Sequence, residues 1–231
     1  MPPPPQPSQQ PYASPWGAPT APPPTESRVG VFLLVIGAVF VVIVGLLASV
    51  IVDMRSGFPR ADHTLVLPRT LLDGHYRLTK DDSGTEGRTL ERSWAYSWDA
   101  EAAHGVAGQY SPDGSDKGVL VVTGMYGRFK HTDRLRARVL RASKAENDRV
   151  TLVVPPNDVT PSGSRVRVSC EVLTRTWRDG TTLTYPVCAW ADGNTWARVA
   201  EMTRNAVMNP DLTVAARTTL RIRAETVKAI G

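Results

Sequence analysis

From Val29 to Val52 the chain reads VGVFLLVIGAVFVVIVGLLASVIV, with no charge between Arg28 and Asp53. At a helical rise of ~1.5 Å per residue this run reaches about 36 Å, against a hydrocarbon core of ~30 Å. The pattern predicts one transmembrane helix over 29–52. In lipid the backbone must satisfy its own hydrogen bonds, and a helix does so whatever its β-branched content. The apolar stretch is longer than the 7–15 residues of a cleaved leader, so it reads as an uncleaved signal anchor. Ahead of it, residues 1–28 hold 11 of the 19 prolines, mixed with Gln, Ser and Ala. Such a stretch has too little apolar surface to offset ordering entropy. It is expected to be a disordered tail with polyproline II character, a spacer or a docking strand for a partner domain. Residues 53–67, DMRSGFPRADHTLVL, read as a polar juxtamembrane stalk, and 68–231 are long enough to bury a core of their own.

Beyond the stalk the period changes to two. In SRVRVSCEVLT, Val166, Val168, Cys170 and Val172 take one face, and Arg165, Arg167, Ser169 and Glu171 the other, as in a half-buried strand. TTLTYPVCAW is a second strand, and Arg178-Asp179-Gly180 between them suits a three-residue hairpin loop with glycine in the left-handed position. With that loop Trp177 faces Thr181, and counting back along both arms sets Cys170 opposite Cys188 on the valine face. Directly opposed Cα atoms lie ~4.5–5.5 Å apart, within reach of a disulfide. A two-residue loop would instead put the cysteines on opposite faces, leaving two small buried thiols. Asp192-Gly193 can close a second hairpin, giving a meander of roughly 165–174, 182–190 and 195–202. GVAGQYS and KGVLVVTGMYGRF flank PDGSD as a third hairpin, GHYRLTKD is an earlier strand, and RVTLVVPP is a short one stopped by Pro155-Pro156.

Two segments carry the helical period. HTDRLRARVLRASKAEN starts at Thr132 or Asp133 and places Leu135, Val139 and Ala142 on one face. NPDLTVAARTTLRIRAETVKAI has Asn209 as cap, Pro210 in the first helical position and Asp211 beside it, with Leu212, Ala216, Leu220, Ala224 and Val227 as its stripe. The predicted class is therefore α+β: an antiparallel sheet with two amphipathic helices on one face, preceded by one transmembrane helix and a disordered Pro-rich tail.

Charge changes this picture little. The formal net charge is +5, which permits attraction to anionic surfaces and specifies no partner. Most basic residues are arginine, as GC-rich coding would produce, so their number is poor ground for phosphate recognition, and nucleic acid is not an expected partner. The positive-inside rule is nearly balanced. Arg28 and the terminal amine lie on one flank, and Arg55 and Arg60 on the other, opposed by Asp53 and Asp62. The cysteines arbitrate. A disulfide does not persist in a reducing cytosol, so the expected topology is single-pass in the cell membrane, with a cytoplasmic N-terminal tail and an extracytoplasmic domain at 68–231.

Candidate chemistry is sparse. None of HExxH, CxxC, GxSxG or a phosphate loop occurs. Asp99, Glu101 and His104 in WDAEAAHGV fall within six residues and could meet a divalent metal, but a closed site needs a further ligand, and a solvated turn is the ordinary alternative. No cofactor is expected. Arg134, Arg138 and Arg141 recur at helical spacing, as do Arg217, Arg221 and Lys228. Such stripes are either contacts for an anionic partner or the solvent faces every surface helix has. Trp94, Trp98, Trp177, Trp190 and Trp196 are many for one domain, with Trp190 on the predicted core face beside Cys188.

YPVCAWADGNTWARV, the preceding VPPNDVTPSGSRVRVSCEVL, and the Pro-rich tail with its anchor together resemble single-pass membrane proteins of actinomycetes, Streptomyces-like in composition. The resemblance covers the layout and about a third of the domain. It implies a bacterial cell-surface location and brings no catalytic or ligand residues with it. Three functions stay open: a non-catalytic extracytoplasmic domain binding a protein or an anionic envelope component; a metal-assisted cell-surface enzyme using Asp99, Glu101 and His104; and a cytoplasm-facing domain meeting the inner leaflet through its arginine stripes.

Overall fold

The computed structural model describes residues 39–47, 57–114, 118–145, 149–203 and 210–230, side chains of 142–145 excepted. The chain divides into two compact units, Met1–Val50 and Ile51–Gly231. In the first, residues 39–47 form helix α1 inside the apolar run, with every side chain exposed. Among the described residues no helix is long and apolar enough to cross a membrane. The rest of the predicted span 29–52 and the Pro-rich tail 1–28 lie outside them.

The second unit is α+β. In chain order it comprises β1 His63–Leu65, β2 Thr70–Leu71, β3 Tyr76–Asp81, a π-helical turn Ser83–Gly87, α2 Arg88–Trp94, β4 Ala100–Pro112 and β5 Gly118–Phe129. There follow α3 Thr132–Ala145, β6 Val150–Asp158, β7 Val168–Thr176, β8 Thr182–Ala191, β9 Thr195–Thr203, α4 Leu212–Thr226 and β10 Val227–Ala229. Eight strands form one sheet in the order β2-β3-β4-β5-β9-β8-β7-β6, with neighbours antiparallel throughout. The β7–β8 pair follows the predicted register, Trp177 N–H bonds Thr181 O (2.8 Å) around Gly180 at φ +82°, and β9 follows β8 antiparallel across the second hairpin.

The layering departs from the expected arrangement. Helices cover both faces of the sheet. On one, Ala216 and Ile222 of α4 pack on Val168, Cys170, Cys188, Trp190 and Val199. On the other, Leu135, Val139 and Leu140 of α3 and Trp94 of α2 pack on Leu173, Val187, Ala189 and Trp196. β7 is therefore not half-buried, and Glu171, assigned by alternation to the solvent face, is only 1% exposed beneath α3. Arg136 of α3 is likewise 5% exposed, its guanidinium bonded to Ser169 Oγ (2.9 Å) and Asp133 Oδ1 (2.8 Å).

Three local expectations also shift. The strand at 150 runs through Pro155 and Pro156 to Asp158, because β6 is the sheet edge, where missing N–H donors leave no partner unsatisfied, and its register slips on both sides of Val154. The cap of α4 is Asp211, whose carboxylate accepts from Thr213 N and Val214 N (2.8 and 3.2 Å); Asn209 lies outside the described residues. The buried stripe of α4 runs Ala216, Thr219, Ile222, Thr226, with Ala224 exposed, because Thr226 turns its hydroxyl inward onto Ile222 O (2.8 Å).

The segment read as a stalk is docked from residue 57 onward. Asn194 Nδ2 donates to Arg60 O (2.5 Å) and its Oδ1 accepts from Asp62 N (3.1 Å). Arg128 Nε donates to Pro59 O (2.8 Å), and Lys130 Nζ sits 4.1 Å over the Phe58 ring. β1 then pairs with β10, Leu65 opposite Val227, so the far end of the chain closes over the start of the domain.

Candidate functional site

Cys170 and Cys188 stand opposite each other, Cα atoms 4.0 Å apart, and form a disulfide. It is buried under α4 beside Trp190, so it braces two core strands and offers no accessible sulfur.

Asp99, Glu101 and His104 are not brought together. They do not lie on a helical turn: Glu101 and His104 belong to β4, where a bulge between them carries Ala102 at φ +49°. Each has its own partner. Asp99 Oδ1 is 2.7 Å from His131 Nδ1, Glu101 Oε2 is 2.7 Å from Arg128 Nη1, and His104 lies 3.7 Å from Glu91 Oε1 with its ring 5.2 Å from that of Tyr126. Among the described residues no three His, Cys, Asp or Glu side chains are grouped to hold a metal.

The arginine stripes separate onto opposite sides of the sheet, since α3 and α4 cover opposite faces. Within them, Arg138 lies 3.9 Å over the Trp94 ring and Arg221 pairs with Asp73 (2.6 Å). Arg134, Arg141 and Arg217 are exposed. One flat anionic surface cannot meet both stripes at once.

A concave feature lies elsewhere, on the sheet face that α3 and α2 only partly cover. A cavity of about 620 Å³ has its floor on β5, β9, β8 and β7: Val121, Ala200, Met202, Tyr185, Val187 and Leu173. Arg175 and Arg198 project into it, and Glu86 stands at its rim. A second cavity of about 460 Å³ shares Glu86, Val121, Thr123 and Arg198 and continues the groove along α2. Its wall exists because the π-helical turn packs directly on β4. A side chain at Gly87 would meet Gly105 O at 2.6 Å, and Asp82 N–H donates to Ala107 O (2.8 Å).

Burial raises the Tyr185 hydroxyl above the ordinary phenol range, Arg175 and Arg198 pulling the other way and Glu171 pushing with burial. Tyr185 is thus a neutral hydrogen-bonding group at physiological pH, next to two guanidiniums, over an apolar floor. The site suits a ligand with an apolar body and an acidic group. Sequence analysis missed these residues. The signal was present in β8 and β9, whose two faces both carry large side chains, but strand alternation says nothing about where a covering helix stops. Comparison of the chain with family models, with curated proteins and with solved structures gives no match.

Proposed function

We propose that this chain is a membrane-anchored binding protein, its α+β domain held outside the cytoplasm and its ligand an amphipathic acid bound in the open groove over β5, β9, β8 and β7. The observation that carries the binding role is the groove itself, where Arg175, Arg198 and Tyr185 converge over Val121, Ala200 and Met202. The location rests on the Cys170–Cys188 disulfide, which an oxidising compartment sustains, together with the charge-free run at 29–52.

Two measurements test it. A membrane-impermeant maleimide on intact cells should label the protein only after reduction and denaturation. Ready labelling after lysis without reductant would place the domain in the cytosol. For the groove, the detergent-solubilised full chain should bind a fluorescent long-chain fatty acid, and Ala200→Trp, which fills the floor, should abolish that binding. Arg175→Gln should weaken it about tenfold, the loss of one charge-assisted hydrogen bond. Binding unchanged in both variants would remove the groove from the function.

A further inference from the structure

The loop between α2 and β4 carries the two most exposed aromatic side chains of the domain. Tyr96 is 100% and Trp98 71% exposed. Exposed aromatic rings mark contact surfaces, and at a membrane–water boundary both rings have a use, since their bodies are apolar and their tips polar. Their position singles out that boundary. Asp99, next to Trp98, accepts a backbone hydrogen bond from Lys130 N (2.9 Å). The Lys130 side chain in turn covers Phe58, with its Nζ 3.9 Å from where a side chain on Gly57 would begin. Gly57 is where the described domain starts, so the aromatic loop and the entry of the chain share one end of the sheet. The β7–β8 hairpin tip, with Asp179, is at the other end.

Chain length then limits how far that end can stand from lipid. Only Asp53, Met54, Arg55 and Ser56 separate Val52, the end of the apolar run, from Gly57. Five extended steps cover at most about 18 Å, and the headgroup zone on one side of a bilayer takes up about 6 Å of that. We infer that the 95–99 loop rests in the headgroup zone of the bilayer this chain enters, with Tyr96 and Trp98 as interfacial anchors that orient the domain. The inference rests on the proposal that 29–52 spans a membrane. The contact is aromatic rather than charge-led, because residues 95–98 carry no Asp, Glu, Lys or Arg, Glu101 pairs with Arg128 (2.7 Å), and Asp99 Oδ1 lies 2.7 Å from His131 Nδ1. It therefore does not require anionic lipid and does not weaken in salt.

The test uses the full chain reconstituted into phosphatidylcholine vesicles, its disulfide intact, with a nitroxide on a new cysteine at Tyr96→Cys or, as control, Asp179→Cys. Both native side chains are exposed, so neither change perturbs the core. Expected is a several-fold higher ratio of oxygen to nickel-chelate collisions at 96 than at 179, unchanged in ~0.5 M salt (about three times physiological ionic strength), and loss of headgroup-nitroxide quenching of tryptophan fluorescence in Trp98→Phe. Equal, water-like accessibility at both positions in a chain that floats with the vesicles overturns the inference alone. A chain that fails to float, or is stripped by alkaline carbonate, overturns the membrane-spanning proposal and this inference with it.

Discussion

Asp211, Asp179 and Asp158 show how single side chains set the response of the molecule to pH. The Val214 and Thr213 N–H groups hold the Asp211 carboxyl below its ordinary range. The side-chain hydroxyl and then the N–H of Thr181 do the same for Asp179, and the Thr160 hydroxyl, with Arg167 behind it, for Asp158. A carboxyl depressed in the folded state favours folding at every pH above its unfolded value of ~3.9 and loses that contribution as pH falls through the folded value. Urea midpoints should therefore stay level down to about pH 4 and fall below it. Asp211→Asn, still a competent cap, should cost little at pH 7 and flatten the acid limb. Burial raises Tyr110 and Tyr185, the opposite case. Both favour the fold below pH ~10 and lose that contribution as pH rises through their folded values. An ultraviolet titration should show Tyr110 and Tyr185 ionising late.

At the scale of elements, the β7–β8 hairpin is the most self-contained part of the domain. Its turn, its register from Thr176–Thr182 to Val168–Trp190 and its covalent bond all follow from one 24-residue stretch. A bridge closing a loop of this length contributes roughly 3 kcal/mol in the chain-entropy model, or about 6–12 °C in Tm for a domain of this size. Thermal unfolding with and without reductant should show a fall of that order. An unchanged Tm would mean that α4 alone holds the two strands. The outer edge of the sheet is managed differently. β6 exposes Val153, and Pro155 and Pro156 interrupt its free edge, which blunts pairing with a second chain. Arg167, bonded to Asp158 (2.6 Å), also reaches Asp133 (3.4 Å), and Arg136 donates to Ser169 Oγ (2.9 Å), which ties the start of α3 to the β6–β7 corner.

The domain as a whole is closed by its ends. Leu65 is buried in the core beneath α4, Val66 N–H bonds Thr226 O (2.9 Å), Ile230 N–H bonds Asp62 O (2.9 Å), and β10 completes a two-stranded patch with β1. Deleting residues 227–231 should therefore be felt 160 residues away. It removes the β1–β10 pairing, a loss of about 3 kcal/mol at roughly 1 kcal/mol per hydrogen bond. Amide exchange at 62–66 should accelerate sharply while the β7–β8 hairpin stays protected. Equal acceleration in both places would mean that the closure and the sheet melt together. The same docking holds residues 57–65 against the domain.

What the sequence determined by itself is what short-range chemistry decides. Gly180 selects the loop, the loop selects the register, and the register places Cys170 against Cys188. The 3.6 period of 132–145 and of 212–226 likewise marks two helices without reference to anything distant. Only the tertiary structure decided which faces those helices cover. Alternation assigned Glu171 to water, but α3 lies over it, and a strand between two layers has no solvent face to reveal. It also decided that Pro155-Pro156 could lie within a strand, since only an edge position tolerates them. The bulge at Ala102 separates Glu101 from His104, and Asp99, ahead of β4, meets His131. Residues 58–62 are docked by Asn194, Arg128 and Lys130, and 63–65 by β10, more than 160 positions later. The groove belongs to this second group. Its floor is drawn from four strands and its rim from a π-helical turn, so it exists only where long-range pairing brings them together.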